Sequence, residues 1–159
     1  MKPILYVLCG IPGAGKSYFA DHFDLNAVRA SRDHFRLSAL NKDDEYFSKE
    51  DEIFPRFTNY IAAHLKNKMN VIADATHITP GSRRKLLTSI DSYGFTDYNI
   101  IFIYFSTSYA TCCSRNEKRT GRQKVPADVL ESMHNGFRKP TMNEDERCIG
   151  VWQMRGYHE

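Results

Sequence analysis

The sequence is poor in the features that mark exported or metal-stapled domains. Its four cysteines, Cys9, Cys112, Cys113 and Cys148, include a vicinal pair but no C-x-x-C, and no H-x-x-x-H accompanies them. Zinc-ligand spacing is therefore missing, and a disulfide framework is not expected in a chain of 159 residues without an export signal. No apolar run approaches the roughly 20 residues that a membrane-spanning helix needs. The first ten residues, MKPILYVLCG, hold one lysine and a short apolar run that leads straight into a glycine motif. A signal peptide would have a longer apolar core and a small-residue cleavage site. Reduced thiols and a cytoplasmic protein that meets no membrane are the expectation. Internal repeats, low-complexity tracts and linkers are also missing, so one domain over residues 1–159 is expected.

Charge of either sign is not in large excess: the net is +3, a weak pointer to an anionic partner. Its distribution says more. Arg115, Lys118, Arg119, Arg122 and Lys124 crowd one short segment, and Arg83, Arg84 and Lys85 form a second cluster. The apolar share of 42% is enough for one buried core.

Ile4–Cys9 is a short apolar run stopped by Gly10, the pattern of a strand buried on both faces. Lys16–Phe23 follows as a helix with Tyr18, Phe19 and Phe23 as its apolar face. Ala27–Ser31 reads as a second strand despite Arg29, and Arg32–Lys49 as polar and irregular. Ile53, Phe57, Ile61 and Leu65 recur every four residues and predict a helix over Asp51–Lys68, with Pro55 near its first turn. Strands are predicted at Met69–Ala73, Tyr98–Phe105 and Cys148–Met154. Helices are predicted over Pro80–Ile90 and Thr107–Arg119, and after Pro126 with Val129, Leu130, Met133 and Phe137 inward. Lys139–Arg147 reads as a polar loop. Strands alternating with helices imply an α/β fold, a parallel sheet with helices on both faces.

Gly10-Ile11-Pro12-Gly13-Ala14-Gly15-Lys16-Ser17 matches G-x-x-x-x-G-K-[ST]. Glycines let backbone N–H groups approach phosphate oxygens, the lysine reaches the β- and γ-phosphates, and the hydroxyl ligates Mg²⁺. The strand before it and the helix after it are the context this P-loop requires, because the helix N-terminus also faces the anion. Residues Gly10 to Ser17 and the adjacent Tyr18 are the candidate binding site for ATP, with Ser17 as the candidate Mg²⁺ ligand. The D-x-x-G and N-K-x-D strings of a GTPase both occur, at Asp91–Gly94 and Asn41–Asp44, but in the wrong order and without convincing strands before them. A small phosphotransferase fits the length best.

Ligands of an open α/β sheet bind beyond the carboxyl ends of its strands. Arg32-Asp33-His34-Phe35-Arg36 leaves the second predicted strand there, and Asp74-Ala75-Thr76-His77 leaves the third. Asp33 is either a carboxylate that accepts the proton of an acceptor hydroxyl or an N-cap aspartate. Asp74 either orients Mg²⁺-bound water or the acceptor, or forms a turn; His77 reads as a polar bystander. The basic run from Arg115 to Lys124 is either a solvated helix face or a lid over about residues 115–126 that neutralises a phosphoryl group in transit.

The segments GIPGAGKSYFA, SRDHFR, ADAT and SRNEKRTGRQKVPADVLESM together resemble the 5′-kinase domain of the bacteriophage polynucleotide kinase family, over roughly Lys2 to Phe137. The resemblance implies a P-loop kinase fold with a small basic lid. It implies phosphoryl transfer from ATP, with Mg²⁺, to the 5′-hydroxyl of RNA or DNA ends. On that resemblance Lys16 and Ser17 hold ATP·Mg²⁺, and Asp33 is the general base. Arg36 meets the 3′-phosphate of the acceptor nucleotide, and Asp74 and Thr76 line its groove. Arg115 and Arg119 reach the phosphates from the lid. The lid is one residue longer than the family's, so Arg119 and Arg122 both stand as the inward arginine. The D-x-D-x-T motif of the family's phosphatase domain does not occur, and only the kinase half is expected. The oligomeric state is left open. A kinase for a nucleoside, sugar or nucleotide-sugar is the alternative within enzymes, and a slowly hydrolysing nucleotide-binding module is the alternative outside them.

Overall fold

Five short strands and the helices between them build the chain of a computed structural model that describes residues 1–155. The strands are β1 (Ile4–Cys9), β2 (Ala27–Ser31), β3 (Asn70–Asp74), β4 (Asn99–Phe105) and β5 (Cys148–Met154). They pair in the order β2-β3-β1-β4-β5, and every pairing is parallel. Parallel strands are buried on both faces, and alternate side chains divide accordingly. Leu5, Val7, Cys9, Val71, Ala73, Ile100 and Phe102 enter one core with Phe57, Ile61, Leu65, Leu86 and Ile90. Tyr6, Leu8, Ile72, Ile101 and Ile103 enter the other with Phe19, Cys112 and Leu130.

The first core is covered by α3 (Glu50–Lys66) and α4 (Pro80–Asp91); the second by α1 (Lys16–His22), α5 (Tyr109–Glu117) and α6 (Ala127–Gly136). The predicted strands and the α/β layering are therefore observed, with ends shifted by a residue or two. Pro80 opens α4 behind a capping box in which Thr79 and Ser82 satisfy each other's backbone N–H. Pro126 is the N-cap of α6 rather than its first residue, and Ser108 caps α5 by accepting from Thr111 N–H. Pro55 is the sixth residue of α3, one residue deeper than the predicted start at Asp51 puts it, because the helix begins at Glu50.

Two expectations are corrected. Arg32–Lys49 is not irregular throughout: α2 (Arg32–Ala39) follows β2 directly, started by Ser31, whose hydroxyl accepts from His34 N–H. The α1 face is also narrower than expected, since Phe19 is buried while Tyr18 and Phe23 are exposed. A seven-residue helix lying against one sheet face has room to bury only one such side chain. Lys139–Arg147 contains a short 3₁₀ turn, Met142–Glu144, and Glu144 pairs there with buried Arg83 at 2.7 Å. The second basic cluster is thus not a surface patch throughout. Among the described residues no helix is long and apolar enough to cross a membrane.

Candidate active site

The central strand β1 delivers the P-loop to the middle of the sheet edge, with the ends of β3 and β2 on one side. Gly13 and Gly15 take φ of +86° and +107°, a region that side chains rarely adopt. Space adds to the demand at Gly13, where a Cβ would stand 2.8 Å from the Cys112 carbonyl oxygen. The loop is braced from both flanks. Gly10 N–H donates to the Thr76 carbonyl at 2.9 Å. On the other flank Thr107 Oγ1 donates to the Ala14 carbonyl at 2.6 Å and Arg115 Nη1 to the Gly13 carbonyl at 2.9 Å. Lys16 curls back over the loop, Nζ donating to the carbonyls of Gly10 (2.8 Å) and Ile11 (3.0 Å). Burial pushes the Lys16 pKa down, and the charges of Asp74 and Asp33 oppose that shift. Both carboxylates therefore act on the ammonium group.

The acceptor side is built on the first turn of α2. Ser31 is the N-cap, so Asp33 is not, and the helix-cap reading of Asp33 falls away. Its side chain is 67% exposed and faces the same cavity as Lys16. Arg36, one turn on, is 7% exposed and has most of its donors engaged. Its Nε and Nη2 donate to Glu50 Oε2 and Oε1 at 2.9 and 2.7 Å, and its Nη1 donates to Tyr46 Oη at 3.1 Å and to Asp33 Oδ1. The Tyr46 and Phe47 rings lie 4.7 and 5.2 Å from the guanidinium. Burial disfavours the Arg36 charge, but hydrogen bonds and charge from Glu50, with Tyr46, outweigh it and its pKa is raised. Tyr46 Oη also donates to Asp33 Oδ1 at 2.8 Å. Arg32 pairs with Glu50 at 3.2 Å, and its Nε is buried without a hydrogen bond among the described residues. Tyr46 and Glu50 were not singled out in the sequence, because they lie ten and fourteen residues beyond Arg36 and share no motif with it.

Asp74 ends β3 opposite Ser31 of β2. It is 7% exposed and accepts from Arg29 Nε (3.1 Å) and Nη2 (2.7 Å). The arginine that weakens the β2 pattern therefore holds the carboxylate in place, with Asp21 as its other partner at 2.6 Å. Thr76, two residues after Asp74 in the connection to α4, also lines the cavity. His77 is not on the cavity wall. It is buried, its Nδ1 lies 2.8 Å from the Leu8 carbonyl, and Arg83 Nη1 donates to its own carbonyl at 2.7 Å. Burial pushes its pKa down to about 4.

The lid leaves α5 at Lys118 and is drawn back by a buried amide: Asn116 Nδ2 donates to the Val125 carbonyl at 2.7 Å, and its Oδ1 accepts from Val125 N–H at 2.9 Å. Between these ends Arg119 turns into the cavity, and its charge acts on Lys16. Among the described residues no carboxylate pairs with it. Arg122 points the other way, Nη2 donating to the carbonyls of Asn41 (2.6 Å) and Lys42 across the cleft. One cavity of about 770 Å³ thus gathers Lys16, Ser17, Tyr18, Asp33, Arg36, Asp74, Thr76, Arg115 and Arg119. Arg122 is not on its wall, and Gly10, Ile11 and Ala14 support the loop from the buried side.

The arrangement fits a nucleoside triphosphate with Mg²⁺. Pro12, Gly13, Gly15 and Lys16 line one end of the cavity, as a P-loop does around phosphates, and Ser17 offers a hydroxyl at the start of α1. The chain is 28% identical over 141 residues to an L-seryl-tRNA(Sec) kinase of Methanococcus maripaludis, covering 86% of this chain and 53% of that protein. A Pnkp1/Rnl/Hen1 RNA repair complex contains a chain 30% identical, with a TM-score of 0.72 over 85% of this chain and 44% of that one. A fungal RNA kinase at 13% identity shares the fold, with a TM-score of 0.67 over 98% of this chain and 39% of that one. The chain spans about half the length of these relatives. The model of the AAA domain family matches residues 5–140, and the chain belongs to that family, with a P-loop kinase-like fold.

Proposed function

We propose that this P-loop kinase moves the γ-phosphate of ATP to the 5′-hydroxyl of an RNA or DNA end. The observation that carries the reading is the cavity itself. It runs without a wall from Lys16 in the P-loop to the Asp33 carboxylate on α2, so donor and acceptor ends face each other in one space. The likeness at 30% identity to a chain of an RNA repair complex supports the acceptor class.

The residues take the following roles. The P-loop N–H groups and Lys16 hold the phosphates, Lys16 exchanging its carbonyl partners for phosphate oxygens. Ser17 is the protein ligand for Mg²⁺, which when bound neutralises charge on the phosphate oxygens. Asp33 accepts the proton of the 5′-hydroxyl as that oxygen bonds to the γ-phosphorus and the bond to the β-phosphate oxygen breaks, leaving ADP. Arg119 and Arg115 stabilise charge on the moving group from the lid side. Asp74 and Thr76 line the groove beside the acceptor. Arg36 holds Asp33 in place; it reaches a 3′-phosphate only by giving up part of its pairing with Glu50.

That last point favours a second reading, a kinase for a smaller or differently linked hydroxyl acceptor, since an arginine already paired is less available to a 3′-phosphate. Transfer from γ-labelled ATP onto 5′-OH oligonucleotides, 3′-mononucleotides, nucleosides and a seryl-charged tRNA separates them. Preferred labelling of the oligonucleotide supports the proposal. Preferred labelling of a nucleoside or of the seryl ester overturns it in favour of the second reading.

A further inference from the structure

The acceptor flank of the cavity carries more exposed apolar surface than phosphate or hydroxyl recognition needs. Phe47 is 49% exposed and Leu37 42%, and both line the cavity beside Asp33. Phe47 lies in the connection between α2 and α3, yet its ring is held. It meets the Tyr46 ring edge-on, with centroids 4.8 Å apart and planes at 87°, and the Arg36 guanidinium sits 5.2 Å from its centroid. An aromatic ring held in orientation and half open to solvent, with a second exposed apolar side chain beside it in a polar cavity, offers apolar surface that a ligand gains by covering. Tyr46 measures the spacing: its hydroxyl touches Asp33 and its ring touches Phe47. Phe47 therefore stands about one phenol ring away from the proposed base. In a nucleotide, the 5′-hydroxyl and the nucleobase are likewise separated by one ring, the sugar.

The geometry points to Phe47, with Leu37 beside it, as a stacking subsite for the nucleobase of the acceptor's 5′-terminal nucleotide. This rests on the polynucleotide reading above and adds what holds the end in register. A base stacks on an aromatic face whatever its identity, so the subsite takes purines and pyrimidines alike. Arg36 takes part by touching both the ring and Asp33, which ties the platform to the proposed base. Sequence pattern could not show this, because Phe47 sits in a polar stretch with no motif around it.

The test compares two 5′-OH oligonucleotides of the same sequence, one intact and one abasic at its 5′-terminal nucleotide, with the wild type, Phe47→Ala and Phe47→Trp. The wild type is expected to favour the intact acceptor by about tenfold or more in kcat/KM, the scale of one base–aromatic stack. Phe47→Ala loses that preference through a higher acceptor KM with the ATP KM unmoved, and Phe47→Trp keeps it. Equal use of both acceptors by the wild type overturns the subsite and leaves the kinase reading standing. So does an equal loss on both acceptors in Phe47→Ala, which is the mark of a purely structural ring. Transfer to neither oligonucleotide by the wild type overturns the polynucleotide reading and the subsite with it.

Discussion

Arg36 and Glu50 face each other through two parallel hydrogen bonds, Nε to Oε2 at 2.9 Å and Nη2 to Oε1 at 2.7 Å, joining the last turn of α2 to the start of α3. This fork fixes the arginine that in turn touches Asp33, so the proposed base is placed by a residue from a separate helix. Glu50→Ala would strip Nε and Nη2 of a largely buried guanidinium of their carboxylate, leaving it only Asp33 and Tyr46, and should cost up to about 3 kcal/mol of stability in urea denaturation. Replacing both partners, as in Arg36→Met with Glu50→Leu, should recover much of that stability but not the turnover. Recovery of turnover in the double variant would show that Arg36 does not position Asp33.

Lys16 is held by backbone carbonyls rather than by a carboxylate, so its removal should spare the fold. Lys16→Ala is expected to lower phosphoryl transfer by on the order of 10³-fold while thermal unfolding stays near the wild-type value. A folded variant with near-normal transfer would remove Lys16 from the donor site.

Asp33→Asn keeps an oxygen for Arg36 and Tyr46 but cannot take a proton. Turnover is expected to fall by about 10²-fold or more, with the ATP KM nearly unchanged. Because Ser31 caps α2, a full loss of activity cannot be blamed on a lost cap. Retained turnover would leave Asp33 as a partner of Arg36 only.

The two lid arginines should separate. Arg119→Lys keeps the charge but loses the planar fork, and a drop in kcat of roughly tenfold or more is expected if it stabilises the moving phosphoryl group. Arg122→Lys should be milder, and its effect should fall on acceptor KM, since Arg122 ties the lid to the Asn41–Lys42 carbonyls across the cleft. The opposite ranking would reverse the assignment of the inward arginine.

His77 gives a stability signature. Its folded pKa, about 4, lies below the ordinary histidine value of 6.5, because burial disfavours the charged ring. Between those values the unfolded chain binds more protons, so stability is full above pH 6.5 and falls as the pH drops towards 4. Across this window the loss is of the order of 3 kcal/mol at most. In His77→Gln this part of the pH slope should disappear from urea-melt stabilities between pH 6.5 and 5, whatever the variant's overall stability. An unchanged slope would place the titration elsewhere.

The sequence by itself determined the donor half of the site and the layering. Ile4–Cys9, the glycine turn and Lys16-Ser17 are local: one strand, one loop and one helix start, whose backbone geometry is dictated by residues next to each other. The strand positions were legible for the same reason, since burial on both faces writes continuous apolar runs. Asp33, Asp74 and the lid could be found because they follow strand ends or form a dense basic run. What only the tertiary structure decided is everything set by contacts between elements far apart in the chain. Arg29 reads as a flaw in β2 until Asp74 is seen 45 residues away as its partner. Arg36 reads as a free phosphate-binding cation until Glu50 and Tyr46 are seen around it. His77 reads only as a polar residue beside the site until its place against the Leu8 carbonyl, 69 residues away in sequence, is seen. Between Arg119 and Arg122, which stand three residues apart in the same basic run, spacing cannot choose. The Asn116 clamp on Val125 fixes the lid's path, and that path turns one arginine inward and the other across the cleft.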